Sequence, residues 1–370
     1  MFGKLNPQLN EYDTAMILRF VKRMSLMCVT IVFTAVFPAV LFCPAGAADT
    51  GPIVLKMNHQ FPANTPGSKI DQWFADEIHR RTSGRLTLNI FWSNGLGEPR
   101  ENLSLISRGV LDMAGMSPGY FPEELPLTAA PNSIPMAMEN VCQARDIMQA
   151  FIDEVPAVSE EARALGIVPL FFHVLNPYLL VSREPITRLA DLEHKRVRTW
   201  GKDLPGLIRA AGAKPVPLFL PDVYPALEKG IIDACPFSLD LMVSYNIHEV
   251  AGHVTEVILW EGPSWGVWIS EAAWEKLPPD VKEIVTETAR EASRKEIDVV
   301  LEAAQNARMF LDKKGVKFHP FPPSDLAAWK AASPDYFDLF IKSMTAKGNG
   351  EAARQMVDLW KTMRKDLDCP

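Results

Sequence analysis

Three stretches of this sequence have residue types that could do covalent chemistry, and each fails on mechanics. Gly115-Met116-Ser117-Pro118-Gly119 fits the G-x-S-x-G pattern that exposes a nucleophilic serine after a strand. That turn needs a following helix, and its oxyanion hole needs the N–H of the residue after the serine. Pro118 has no N–H to give. His248-Glu249 with His253 resembles a zinc-binding helix carrying one residue too many. Five residues turn about 140° around a helix, so the two imidazoles diverge. Gly95-Leu96-Gly97 sits between a strand and a helix, as a dinucleotide loop would, but Arg100 stands in place of the third glycine. No acidic residue ends a following strand, so the fingerprint is incomplete. Its ordinary reading is a turn feeding a helix, with Pro99 in the first turn. These failures lead us to expect a chain that is not an enzyme and holds no metal and no cofactor.

The elements that must position any site alternate between strands and helices. Strands are expected over 53–59, 86–92, 110–116, 167–173, 179–183, 196–200, 215–218, 231–235 and 265–270. Helices are expected from Thr65-Pro66-Gly67 to about Arg81, and over 98–108, 141–164, 204–211 and 222–229. A long amphipathic helix follows from Pro278 to about Lys314, with Pro279 in its first turn and Gly315 as its C-cap. Two more helices lie near 324–332 and 350–365. Such alternation predicts an α/β fold with mixed, mostly parallel sheets.

Composition narrows the class. The 370 residues carry a formal net charge of −7, which argues against a nucleic-acid partner. Arg19, Lys22 and Arg23 precede an apolar run from Met24 to Cys43, and Ala45-Gly46-Ala47 then offers a small-x-small cleavage site. This reads as a secretory signal peptide over 1–47, which predicts an exported, periplasmic protein that does not span the membrane after cleavage. Beyond it, Cys142, Cys235 and Cys369 allow at most one bridge.

Several segments, in order, resemble the solute-binding proteins of TRAP transporters, the DctP family. Asp191-Leu192-Glu193-His194-Lys195-Arg196-Val197-Arg198-Thr199-Trp200-Gly201 is similar to the family's D-L-x-G-x-K-x-R-x-x-G. Gly212-Ala213-Lys214-Pro215-Val216-Pro217 and the run from Val223-Tyr224 to Asp233 follow it, as G-A-x-P-V-P and V-Y-x-A-L-x-x-G-x-x-D do in the family. Asn94 to Gly97, Arg108 to Ala114 and Trp274 to Pro278 extend the likeness from about 52 to 315. The resemblance implies a clamp-like periplasmic binding protein of two α/β domains, joined by crossing segments and a long inter-domain helix. The first domain would comprise 48–174 plus about 262–298 and the second 175–261 plus about 299–345, with a C-terminal helix over 346–370. It also implies the partners: an organic acid as ligand, and TRAP membrane subunits that receive it.

The resemblance makes Arg198 the carboxylate-binding residue. A guanidinium offers a rigid fork of donors that suits a carboxylate. Arg196 shares its strand face, so alternation alone cannot separate the two. Departures from the family pattern shape the rest of the site. The second arginine of many dicarboxylate binders is missing from His173-Val174-Leu175-Asn176-Pro177-Tyr178. Phe237 stands where an asparagine often assists, Trp200 replaces a common proline, and Trp260 falls in a loop that commonly lines the cleft. The register adds His59, Gln60 and Phe61 after the first strand, Trp92 after the second, and Ser117 and Tyr120 after the third. His173, Asn176 and Tyr178 complete the candidates, although a lone histidine is ordinarily structural. An aromatic or bulky apolar monocarboxylate is the favoured ligand. The rivals are an aliphatic dicarboxylate or sugar acid gripped also by His173 or backbone donors, a secreted enzyme using Ser117 or the histidines, and a sensor subunit.

Overall fold

The computed structural model describes residues 51–366 and Cys369. The signal-peptide reading of 1–47 lies outside the described residues. Nine strands form one mixed sheet: β1 (Ile53–His59), β2 (Leu86–Phe91), β3 (Met113–Met116), β4 (Ile167–Ser182), β5 (Arg196–Thr199), β6 (Lys214–Pro217), β7 (Ala234–Phe237), β8 (His253–Ser270) and β9 (Lys317–Pro320). The spatial order is β2-β1-β3-β8-β4-β7-β5-β6, with β9 paired to β8.

The two ends of the sheet are parallel. β1 lies between β2 and β3 at one end, and β5 between β6 and β7 at the other. The middle is antiparallel: β4 runs against β8 from Ile167 opposite Ser270 to Ser182 opposite His253. These two strands, 16 and 18 residues long, belong to both ends at once. Sequence reading divides β4 at Asn176-Pro177 and begins β8 only at Trp265. The chain instead absorbs Pro177 in a register shift between Leu175 and Tyr178, which is where a strand tolerates a proline.

Other boundaries move for equally local reasons. Pro156 splits the helix expected over 141–164 into Val141–Glu154 and Pro156–Ala164, because it has no N–H for the ladder and suits a first turn. The strand expected over 231–235 forms later, as Ala234–Phe237. Four further helices were not anticipated: Ala130–Ser133, Leu239–Ser244, Glu271–Lys276 and Tyr336–Ala346.

The helix Pro66–Arg81 starts where expected, with the Thr65 side chain accepting from the Ser68 N–H. The long helix, Pro279–Lys313, is 35 residues, so it spans about 52 Å at 1.5 Å per residue. Its buried positions Val281, Val285, Ala289, Ala292, Glu296 and Val300 recur at three- and four-residue spacing. They lie against the helix Pro66–Arg81 and β4. At the other end, Cys142 and Cys369 form a disulfide that fastens the C-terminus to the helix Val141–Glu154. Cys235 is a buried free thiol. No helix among the described residues is long and apolar enough to cross a membrane.

Candidate functional site

Strands of both parallel groups aim their C-terminal ends at one small cavity. β1 delivers Gln60 and Phe61, and β3 delivers Ser117 and Tyr120. From the other group, β5 delivers Arg198 and Trp200. The crossing strands add Tyr178 and Trp260, which are register partners, and Ser264. Asn132 and Leu220 complete the wall. A neighbouring hollow shares Tyr120 and Trp200 with it.

The two arginines of β5 have separate fates. Arg196 forms a two-pronged ion pair with Asp233, Nη2 to Oδ1 at 2.6 Å and Nε to Oδ2 at 3.0 Å. Arg198 is only 2% exposed and forms no ion pair with any described carboxylate. Its Nε donates to the Leu218 carbonyl at 3.3 Å, its guanidinium lies 4.7 Å from the centre of the Trp200 ring, and its Nη1 has no protein partner. A buried cation without a counter-charge is costly, and an incoming anion relieves that cost. Burial pushes the Tyr120 phenol up, with Arg198 pulling the other way, and pushes the Cys235 thiol up to about 12. No acidic side chain lines the cavity.

The aromatic wall is rigid. Tyr178, Trp200 and Trp260 meet edge-to-face, with centroids 5.1–5.7 Å apart. Trp200 Nε1 donates to the Asn132 carbonyl at 3.2 Å, and Trp260 Nε1 to the Pro131 carbonyl at 3.3 Å. Each indole therefore has its polar edge tied down and a ring left to make wall.

Of the residues expected from the sequence, Gln60, Phe61, Arg198, Trp200, Trp260, Ser117, Tyr120 and Tyr178 line the cavity. The other five lie elsewhere. Phe237 is fully buried behind Tyr178, stacked on it at 5.9 Å. Asn176 ties β4 to its surroundings, donating to Asp240 Oδ1 at 2.9 Å and to the Val300 carbonyl at 2.8 Å. Trp92 packs edge-on against His59, 4.6 Å away.

His59 and His173 belong to a separate buried chain of four groups. His59 Nε2 meets Asp71 Oδ2 at 2.7 Å, Asp71 Oδ1 meets His173 Nε2 at 2.8 Å, and His173 Nδ1 meets Glu296 Oε1 at 2.6 Å. Every member is at most 1% exposed. Burial alone would lower the pKa of His173, but the charges of Asp71 and Glu296 raise it to about 10. Burial works to raise Asp71, yet His173 and His59 hold it down to about 2. Both nitrogens of His173 face carboxyl oxygens, so the ring is an imidazolium donating twice. It has no edge left for a ligand, so His173 is not a second anion grip. Sequence reading missed Asn132, Leu220 and Ser264. Asn132 sits in a four-residue helix with no pattern of its own.

A mixed sheet with parallel ends, long crossing strands and a cavity at the strand termini is an architecture suited to binding a small molecule. The family described as bacterial extracellular solute-binding protein, family 7 (DctP), matches residues 57–343, and the chain belongs to it. A solute-binding protein of Roseobacter denitrificans is 27% identical over 297 residues, 79% of this chain and 88% of that protein. The TRAP periplasmic solute-binding protein of Desulfovibrio salexigens, solved with bound orotic acid, superimposes with a TM-score of 0.75 at 19% identity, over 84% of this chain and 99% of its own. The corresponding protein of Xanthobacter autotrophicus, solved with β-D-galacturonate, gives 0.72 at 19% identity, over 84% and 99%. The fold is that of a two-domain TRAP solute-binding protein.

Proposed function

We propose that the chain captures an organic acid carrying one carboxylate, with a flat or apolar ring as its body, and delivers it to TRAP membrane subunits. The observation that supports this reading above all is Arg198. Its guanidinium is 2% exposed and has no carboxylate partner, and it lines a cavity whose wall contains no second arginine or lysine. One fixed positive charge matches one carboxylate. The rings of Phe61, Trp200 and Trp260 suit a flat body, since aromatic faces and edges pack well on a planar ring. On this reading the two parallel groups of strands are the lobes of the clamp, with boundaries near 174/175 and 261/262 on the crossing strands. The signal peptide at 1–47 and the periplasmic location belong to the same proposal.

A sugar acid is the second reading. It is favoured by the polar share of the wall, Gln60, Ser117, Asn132 and Ser264, and by the galacturonate bound in the Xanthobacter protein. A thermal-shift screen of aromatic monocarboxylates, aliphatic dicarboxylates and sugar acids tests the choice. Stabilisation by the first group only is expected. Stabilisation by sugar acids alone replaces the first reading with the second, and consumption of a stabilising compound during incubation replaces both with an enzyme.

A further inference from the structure

Asn132 is 3% exposed, and every polar atom of its side chain can be followed. Nδ2 donates to the Pro263 carbonyl at 3.1 Å and to the Ser264 carbonyl at 3.0 Å. Two carbonyl oxygens on that side fix which end of the amide is nitrogen, because a flipped amide would set three oxygens against one another. Oδ1 therefore turns away from β8, and it is a buried acceptor with no protein partner. Its position depends on a glycine: a Cβ on Gly119 would lie 1.7 Å from Oδ1. The Asn132 backbone carbonyl accepts from Trp200 Nε1, so the residue is held at its backbone as well as at Nδ2.

Neither Ser117 nor Gln60 serves as this acceptor's partner. Ser117 Oγ spends its hydrogen on the Ser264 carbonyl at 2.7 Å. Gln60 Oε1 accepts from the Ser117 N–H at 2.9 Å, so Gln60 offers the cavity its NH₂ end and forms no bond to Asn132. Arg198 supplies donors at the opposite group of strands. Around Asn132 the cavity presents the NH₂ of Gln60 and the free Nη1 of Arg198 as donors, while Asn132 Oδ1 is a fixed acceptor with no protein partner.

We propose that Asn132 is a specificity residue whose Oδ1 receives an N–H or O–H from the ligand, so that the cavity selects carboxylates bearing such a donor over isosteres that lack one. This rests on the reading of the Arg198 cavity as an organic-acid site and sharpens its substrate class. A buried acceptor left unpaired in the complex opposes binding, and sites built for a hydrogen bond reject analogues that cannot make it.

The test uses two ring acids of nearly equal shape. Pyrrole-2-carboxylate has a ring N–H, and furan-2-carboxylate has a ring oxygen in its place. Calorimetric titration of the protein is expected to give at least about tenfold tighter binding of the pyrrole acid, in line with an unmade buried hydrogen bond. Asn132→Ala is expected to bring the ratio near one. Gly119→Ala, which displaces the amide without removing it, is expected to do the same and serves where Asn132→Ala does not fold. Equal affinities in the unsubstituted protein, both lost in Arg198→Ala, overturn the donor requirement and leave the organic-acid reading standing. A ratio that survives either substitution also overturns the role of Asn132. Binding of neither acid overturns the ring-acid reading and this inference with it.

Discussion

Two buried charged regions flank the crossing strands, and they treat charge in opposite ways. In the chain His59–Asp71–His173–Glu296, every charge has an opposite neighbour within 2.8 Å, and no member lines the cavity. In the cavity, Arg198 has carbonyl and aromatic neighbours but no carboxylate. Trp265 and Phe61 stand between the two. Trp265 stacks on His173 at 4.1 Å and meets Phe61 at 4.2 Å, and Phe61 is itself cavity wall. A compensated buried charge holds elements together: here it joins the end of β1, the helix Pro66–Arg81, β4 and the long helix. An uncompensated one is held ready for something that arrives. Titratable side chains in the interior are therefore read best by whether their counter-charge is part of the protein.

The largest expected effect strikes the compensated region. His173→Phe keeps the ring volume and removes the cation, leaving Glu296 without its imidazolium and Asp71 with His59 alone. Breaking a buried charge network in this way costs about 3–5 kcal/mol, and urea unfolding should show a loss of that size. Unchanged stability would mean that the chain is not held by charge. The same region sets a pH window. The pKa of His173 is raised from 6.5 to about 10, so its stabilisation is complete below 6.5 and is lost as pH rises toward 10. Glu296, raised by burial, acts in the same direction. The pKa of Asp71 is lowered from 3.8 to about 2, so its share is complete above 3.8 and is lost as pH falls toward 2. Together the three groups stabilise most between pH 3.8 and 4.5, and melting temperature should fall on the alkaline side. His173→Phe should flatten that alkaline fall, and a wild-type protein that grows more stable above pH 6.5 would contradict the assignment.

Arg198→Ala tests the other side of the comparison, and the two readouts should part. Affinity for the acid should fall by about 1.5–3 kcal/mol, the size of a hydrogen bond to a charged group. Stability in the absence of acid should hold or rise, because an uncompensated buried charge has been removed. A protein that unfolds on this substitution would place Arg198 in the same class as His173.

The two regions also differ in how legible they are in sequence. Arg198 stands in a segment whose neighbours all follow a known register, and β1 and the helix Pro66–Arg81 have clear local signals in their alternation and capping. The four-group chain has no such signal: Asp71 and His173 are 102 positions apart, and Glu296 is a further 123 away. Nothing local marks them as partners, so His59 and His173 read as loose cleft candidates. Pro177 and Pro263 disguise β4 and β8, because a proline inside a long strand reads as an end unless the register shift that admits it is seen. Asn132 is invisible for a third reason. It acts through the direction of its amide, which is fixed by carbonyls 131 and 132 positions away.

The smallest expected effect compares two tryptophans. Trp200 and Trp265 each lie over a buried cation, Arg198 at 4.7 Å and His173 at 4.1 Å. A ring over a cation contributes about 0.5–1 kcal/mol, rising to about 2 where both are desolvated. If the division between the regions holds, replacing each ring by leucine should be felt in different measurements. Trp200→Leu should weaken acid binding by about 0.5–2 kcal/mol, because the indole is both a wall of the cavity and the surface on which the guanidinium rests. Trp265→Leu should spare affinity by comparison and lower stability, since that indole packs on the imidazolium and lies outside the cavity lining. Calorimetry and thermal melts on the pair resolve this, and the comparison fails if both variants lose the same property. A loss of affinity confined to Trp265→Leu would mean that the paired chain senses the cavity through Phe61, and that the two regions are one site.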